Sequence, residues 1–293
     1  MREAKTAASN TVYMKRYKLM NILYCGDENV SAGLTLSVLS LINHHTEPLH
    51  VYVLTMELPL NGKTYHQVSR ETTEVLEREL KKNNPQSSLH VLDVAELFRR
   101  ELPESNLGTR FTPYCMLRLF ADRLDEIPDK ILYLDTDVLC RGNLEEFYGT
   151  DLEGHEFAGV LDYYGSWFFR RKWWRRDYCN SGVLLLNMKE IRRTGLFTAC
   201  RRMIMTQKLF FPDQTALNRL TVSRILADRR YNEQRKLQPD TVLQHFATSF
   251  RLFPVIHTLS VKPWQFDRVH EKLKLYEYDD LFAQYERLSA GTQ

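Results

Sequence analysis

Short runs that are apolar at nearly every position punctuate the chain, and between them apolar residues return every third or fourth position. The run Asn21-Ile-Leu-Tyr-Cys-Gly26 predicts a buried strand, and Leu34, Val38, Leu41 and Ile42 behind it predict a helix. Residues 49–56 (LHVYVLTM) repeat the strand signal, and the charged stretch from Thr64 to Lys82 reads as an exposed helix closed by Asn83-Asn84-Pro85. A third strand is expected over 89–94. Met116, Leu117, Phe120 and Leu124 predict a helix over 114–124, and Ile131-Leu-Tyr-Leu134, after Pro128, predicts a central strand. Further strands are expected over 157–161, 182–186, 224–227 and 242–246, with helices after Met188 and over 213–220. Between Glu271 and Leu288, Leu275, Tyr278, Leu281 and Tyr285 predict one closing helix.

Strands without polar alternation, separated by helices, are what a sheet covered on both faces produces. The expected fold class is therefore α/β, with a mainly parallel sheet flanked by helices. Ligands in such folds gather beyond the carboxyl ends of the strands, where Asp135 and Asp137 fall. No repeat or linker divides the chain, so residues 20–293 are expected to form one domain with a C-terminal helical tail. The polar residues 1–19 read as a flexible N-terminal extension. No apolar run reaches the roughly 18 residues of a membrane helix, and the leader lacks the apolar core of a signal peptide. A cytoplasmic protein is expected, at most peripheral at the inner face of a membrane.

Composition changes this picture little. Hydrophobic residues at 43% and charged residues at 26% of 293 describe an ordinary globular chain. A net charge of +3 is too mild to indicate nucleic acid, and none is expected as a partner. Cys25, Cys115, Cys140, Cys179 and Cys200 are too scattered for a zinc cluster or a disulfide framework, and read as reduced thiols.

Chemistry is suggested first by Asp135-Thr136-Asp137. Two aspartates one residue apart past a buried strand can both face a hard cation if the chain leaves the strand in a turn. Alone the spacing is weak, because composition yields roughly one such pair by chance, and a solvated turn explains it equally well. A phosphatase of the haloacid-dehalogenase type also ends a strand in Asp-x-Asp and uses the first Asp as nucleophile. Against that reading, Val138-Leu139 comes one position too early and the motif lies mid-chain.

The segment from Ile131 to Leu144 (ILYLDTDVLCRGNL) resembles the core signature of the retaining glycosyltransferases of family 8. The resemblance extends through Asn21 to Asn29, Arg118-Leu119, Asn180-Ser-Gly-Val-Leu-Leu-Leu-Asn187, Asp213-Gln-Thr-Ala-Leu-Asn218 and Lys262-Pro-Trp264, in the family's order. It implies a single Rossmann-like nucleotide-sugar-binding domain of the glycosyltransferase A type. It also implies a UDP-sugar donor, UDP-glucose or UDP-galactose, bound with Mn2+ or its substitute Mg2+. The implied acceptor is a glycan, glycolipid or glycoprotein.

Carried over residue by residue, the resemblance makes Asp135 and Asp137 cation ligands, with Thr136 between them at the donor. Cys25, Asp27 and Asn29 form the nucleotide loop, although Asp27 and Asn29 are also ordinary capping residues. Arg118 reaches the donor, or else forms a salt bridge. Asp162, Asn180, Ser181 and Asp213 surround the transferred sugar, a ring of hydrogen-bonding groups suited to a hexose. Gln214 matches the residue beneath the anomeric carbon. An amide is a poor nucleophile, which favours front-face substitution, with Asp162 or Asp213 as the alternative covalent carboxylate. Lys262 is implied to contact the diphosphate.

The third metal ligand departs from the family's spacing, in which Lys-Pro-Trp begins six positions after a His followed by an aromatic. His245-Phe246 has the right neighbour but lies 17 residues before Lys262, whereas His257 lies 5 before it and is followed by Thr258. His245 is preferred and His257 is the alternative. Trp167-Phe-Phe-Arg-Arg-Lys-Trp-Trp-Arg-Arg176 interleaves aromatic rings with cations and reads as an acceptor loop or a peripheral-membrane contact, against a structural insertion. A non-catalytic nucleotide-sugar or membrane-surface binding protein on the same fold is the second functional reading.

Overall fold

The structure is a computed structural model, and it describes residues 19–60, 62–107, 112–163, 177–251 and 257–290. The expected extension over 1–19 lies outside the described residues but for Leu19, and the whole Trp167 to Arg176 stretch lies outside them.

Seven strands form the central sheet: β1 (Met20–Cys25), β2 (Leu49–Thr55), β3 (Ser88–Asp93), β4 (Lys130–Leu134), β5 (Phe157–Leu161), β6 (Cys179–Asn187) and β7 (Arg224–Leu226). Their spatial order is β7-β5-β6-β4-β1-β2-β3. β3, β2, β1 and β4 run parallel, as do β5 and β7, and only β6 runs antiparallel to its neighbours β4 and β5. The mixed, mainly parallel sheet expected from the apolar runs is thus observed. The reversal of β6 has a consequence for function: its first residues, Asn180 to Gly182, lie level with the carboxyl end of β4. Leu134 pairs with Val183, and the Asp135 N–H continues the ladder to the Gly182 carbonyl at 2.8 Å.

Alternate side chains of each strand enter opposite layers. Leu23, Ile131 and Tyr133 join Met116, Phe120 and Phe197 on one face. Ile22, Leu132 and Leu134 join Leu34, Val38 and Phe147 on the other. A third apolar cluster packs Leu139, Phe246, Val261, Tyr278 and Phe282 against Leu36 and Leu39 of helix α1 (Ser31–Ile42). The strand expected over 242–246 is observed as Leu243–His245, antiparallel to Val138–Cys140 just after the Asp-x-Asp turn.

Three expected helices are corrected. Helix α2 (Arg70–Asn83) begins at Arg70, not Thr64, because the Ser69 hydroxyl caps it by accepting the Thr72 N–H, while Lys63–Tyr65 pairs with Leu58–Leu60 in a hairpin. The segment Pro113–Arg123 winds as a 3-10 helix. It is buried on nearly every side, so surrounding contacts rather than a one-sided apolar stripe set its winding. The tail is not one helix. Lys274 turns left-handed with φ 56° after a wide turn over Val269–Leu273, and the closing helix runs Asp279–Ala290. The break lets Leu275, Tyr278 and Leu281 all reach the third cluster, with the Tyr278 hydroxyl 2.5 Å from Gln244 Oε1. Among the described residues no helix is long and apolar enough to cross a membrane.

Candidate metal centre and sugar site

β4 ends at Leu134, and the chain turns at once, with the Val138 N–H donating to the Asp135 carbonyl at 3.1 Å. The turn presents both aspartates to one point. Asp135 Oδ1 accepts from Arg118 Nη2 at 2.8 Å and from the Tyr133 hydroxyl at 2.7 Å, leaving Oδ2 on the His245 side, 3.8 Å from Nε2. Asp137 Oδ1 lies 3.3 Å from the same Nε2, and Asp137 Oδ2 holds the Lys262 ammonium. Asp135, Asp137 and His245 each offer a ligand atom within 4.8 Å of the others.

The electrostatics are those of a site short of positive charge. Burial pushes the Asp137 carboxyl up, but the Lys262 ammonium and the His245 ring outweigh it and hold the group well below the usual carboxylate range. Burial works to lower His245, and Asp137 overrides it, so the ring is shifted upward. Among the described residues, Asp135 and Asp213 share the Arg118 guanidinium, and Asp137 pairs with the Lys262 ammonium. Three carboxylates against these two permanent cations leave a negative charge, which a divalent ion would neutralise. The oxygen and imidazole donors suit Mn2+ or Mg2+, so the residues fit the implied metal. The backbone of His257, the alternative ligand, lies on a short hairpin, paired with Arg251, and its side chain lies outside the described residues.

Arg118 is buried and organises the floor. Besides Asp135 it binds the Ser181 carbonyl, donates from Nε to the Cys115 carbonyl at 2.9 Å, approaches Asp213 Oδ2 at 3.4 Å and stacks over the Tyr133 ring at 3.8 Å. The structure therefore gives it the salt-bridge role without removing it from the site. Its neighbour Cys25 is buried, and burial pushes that thiol up to about 12.

The reversed β6 and the helix α3 (Pro212–Leu220) supply the next group. Gln214 Oε1 accepts from the Ser181 N–H at 2.9 Å and Asn180 Nδ2 at 3.3 Å and lies 3.3 Å from the Ser181 hydroxyl, while Gln214 Nε2 donates to Asp162 Oδ2 at 2.7 Å. The Ser181 hydroxyl also lies 3.1 Å from Asp213 Oδ2. Asp162, Asn180, Ser181, Asp213 and Gln214 are thus brought together and buried.

The first loop adjoins the Asp-x-Asp turn. Asn29 Nδ2 donates to Asp27 Oδ2 at 2.9 Å. A methyl group at Gly33 would lie 2.8 Å from the Thr136 carbonyl and collide with the Trp264 ring, so α1, Thr136 and the Lys-Pro-Trp block meet there. Helix α1 has no side-chain cap, and the buried Ser31 hydroxyl at its start has no hydrogen-bond partner.

Sequence reasoning assigns no role to Tyr133, Asn232 or Gln234. Tyr133, two positions before Asp135 and buried, is readable only as a core residue of the strand. Asn232 and Gln234 carry no local signal, because the site groups that they hold, Asn180, His245 and the Leu161 carbonyl, lie more than 10 residues away.

Residues 21–268 match the family model described as Glycosyl transferase family 8. A lipopolysaccharide 1,2-glucosyltransferase of Escherichia coli is 25% identical over 75% of this chain and 64% of its own length. A lipopolysaccharide 1,3-galactosyltransferase of Salmonella typhimurium is 22% identical over 73% of this chain and 63% of its own. The chain thus spans under two thirds of these relatives. Among solved structures, an active-site mutant of LgtC superposes with a TM-score of 0.65 at 19% identity, covering 93% of this chain and 96% of that one. The galactosyltransferase LgtC with donor and acceptor sugar analogs gives 0.61 over the same shares. These likenesses establish the fold.

Proposed function

The chain belongs to glycosyl transferase family 8, and from that premise we propose that it moves glucose or galactose from a UDP-sugar to a glycan acceptor with retention of configuration. The observation that carries the proposal is the convergence of Asp135 Oδ2, Asp137 Oδ1 and His245 Nε2 at a point short of positive charge. Asp135, Asp137 and His245 would hold Mn2+ or Mg2+, which when bound supplies Lewis-acid stabilisation to a departing diphosphate.

The protein's own groups do the rest. Lys262, already at Asp137, is placed to pass its charge to a phosphate oxygen. Asp27 and Asn29 orient the nucleoside at the tip of β1, and the uncapped start of α1 adds N–H donors suited to an anion. Asp162, Asn180 and Asp213 orient the sugar. Gln214 Oε1 already accepts from the Ser181 and Asn180 amides, which withdraws electron density and makes it a still poorer nucleophile. That supports front-face substitution, in which the leaving phosphate takes the proton of the incoming hydroxyl while Gln214 stabilises positive charge at the anomeric carbon.

The names of the curated relatives support a lipopolysaccharide-type glycan as acceptor. A panel of nucleotide sugars, incubated with the protein and Mn2+ with and without EDTA, tests the reading. EDTA-sensitive release of UDP from one hexose donor is expected. Release of inorganic phosphate instead, or no UDP from any donor with acceptor glycans present, would overturn it.

A further inference from the structure

Asn232 is 1% exposed and stands between the two halves of the site. Its side chain joins His245 Nδ1 at 3.1 Å on one side and Asn180 Oδ1 at 3.0 Å on the other. The direction of these bonds follows from backbone groups. The Gly182 N–H donates to the Asn180 side chain at 2.9 Å, so the atom it meets must be the oxygen. Asn232 presents its other contact to that same oxygen, so it donates from Nδ2, and its Oδ1 is left facing His245. A carbonyl oxygen only accepts, so His245 must carry a proton on Nδ1. In the neutral ring, the form that binds a cation, the lone pair then sits on Nε2, the nitrogen that faces Asp135 and Asp137. The remaining Asn180 amide continues the relay to Gln214 Oε1, itself fixed as an acceptor by the Ser181 N–H, and Gln214 Nε2 ends on the Asp162 carboxylate.

We propose that Asn232 is a positioning residue that sets the tautomer of His245 for cation binding and couples the cation ligands to the Gln214 and Asp162 pair through Asn180. The inference rests on the cation reading given under Proposed function. Outer partners that fix a ligating imidazole are typically worth about 10- to 100-fold in metal affinity. Gln234 supports the same arrangement from the far side. Its side chain donates to the Leu161 carbonyl at 3.0 Å and accepts the Tyr163 N–H at 3.1 Å, gripping the backbone on both sides of Asp162.

The test uses the full chain and needs no substitution at its first step. With 15N-labelled histidine, the one ring whose nitrogens shift on adding Mg2+ should be protonated at Nδ1 and coordinated through Nε2. Coordination through Nδ1 overturns the inference while leaving the cation site intact. Absence of any shift with Mg2+, together with no Mn2+ binding by electron paramagnetic resonance, overturns the cation reading and this inference with it.

The second step compares two variants. Asn232→Ala should bind Mn2+ about 10- to 100-fold more weakly. Asn232→Asp keeps an acceptor for Nδ1 and should hold Mn2+ like the wild type, but it sets an oxygen against Asn180 Oδ1 and should lower kcat for UDP release. A merely structural Asn232 predicts that the two variants lose Mn2+ affinity together, or that neither does, and either pattern overturns the proposal.

Discussion

Gly182→Ala tests how tightly the cation ligands are packed. A methyl group on Gly182 would stand 2.8 Å from Asp135 Oδ2 and from His245 Nδ1, and closer still to His245 Cε1. Ordinary contact lies near 3.5 Å, so the carboxylate and the ring must each retreat by about 0.7 Å or more. Metal sites tolerate about 0.2 Å in their ligand distances, so two of the three ligands would leave range at once. Overpacking of this kind costs about 1–3 kcal/mol of stability, and a displacement near 1 Å in a catalytic site can cost about 100-fold in rate. The variant should therefore stay folded, bind Mn2+ at least about tenfold more weakly, and release UDP about 100-fold more slowly. Gly142→Ala is the control, because a methyl there meets nothing nearer than Val242 at 3.8 Å. Calorimetric Mn2+ titration and a thermal melt of each variant decide the matter. A folded Gly182→Ala protein with wild-type Mn2+ affinity would refute the assigned ligand geometry.

Three further outcomes are expected. Lys262→Ala should weaken UDP binding in the presence of Mn2+ about 10- to 100-fold, the worth of one charge-assisted hydrogen bond, and unchanged affinity by titration would remove Lys262 from the diphosphate site. Arg201→Ala should destabilise the fold by about 3–5 kcal/mol in urea, because the fully buried guanidinium is paired with Asp122 at 2.5 Å and Glu101 at 2.8 Å and its loss strands a buried carboxylate; a loss below about 1 kcal/mol would contradict this. The thiols of Cys25, Cys140 and Cys179 are pushed by burial up to about 12, so a disulfide reagent at pH 8 should label them only on unfolding, and rapid labelling of these three in the native chain would show the core to be open.

The strands were legible because a strand covered on both faces needs unbroken apolar runs. Their direction was not, since Cys179–Asn187 reads the same in either orientation, and its reversal is what brings Asn180 and Ser181 to Asp135. Thr64 misled because the helical spacing continues upstream of Ser69, whose hydroxyl begins the helix. The tail misled because Leu275 and Tyr278 keep near-helical spacing across a left-handed residue.

In the site, the aspartates and Lys262 stood in matched blocks, and the pairing of Leu243–His245 with Val138–Cys140 accounts for His245 despite its irregular distance from Lys262. Asn232 and Gln234 were invisible, since a side chain that acts through another leaves no local pattern. Trp264 stood in a matched block, but its contact with Gly33 depends on the fold bringing together residues distant in sequence.

The central claim is that Asp135, Asp137 and His245 together hold a divalent cation for a nucleotide-sugar donor. Equilibrium Mn2+ binding, followed by electron paramagnetic resonance with and without UDP, tests it most directly. One bound ion per wild-type chain is expected, held more tightly with UDP and lost in Asp135→Asn, Asp137→Asn and His245→Ala. Wild-type binding that survives in all three folded variants, or no binding by the wild type with UDP present, would contradict it.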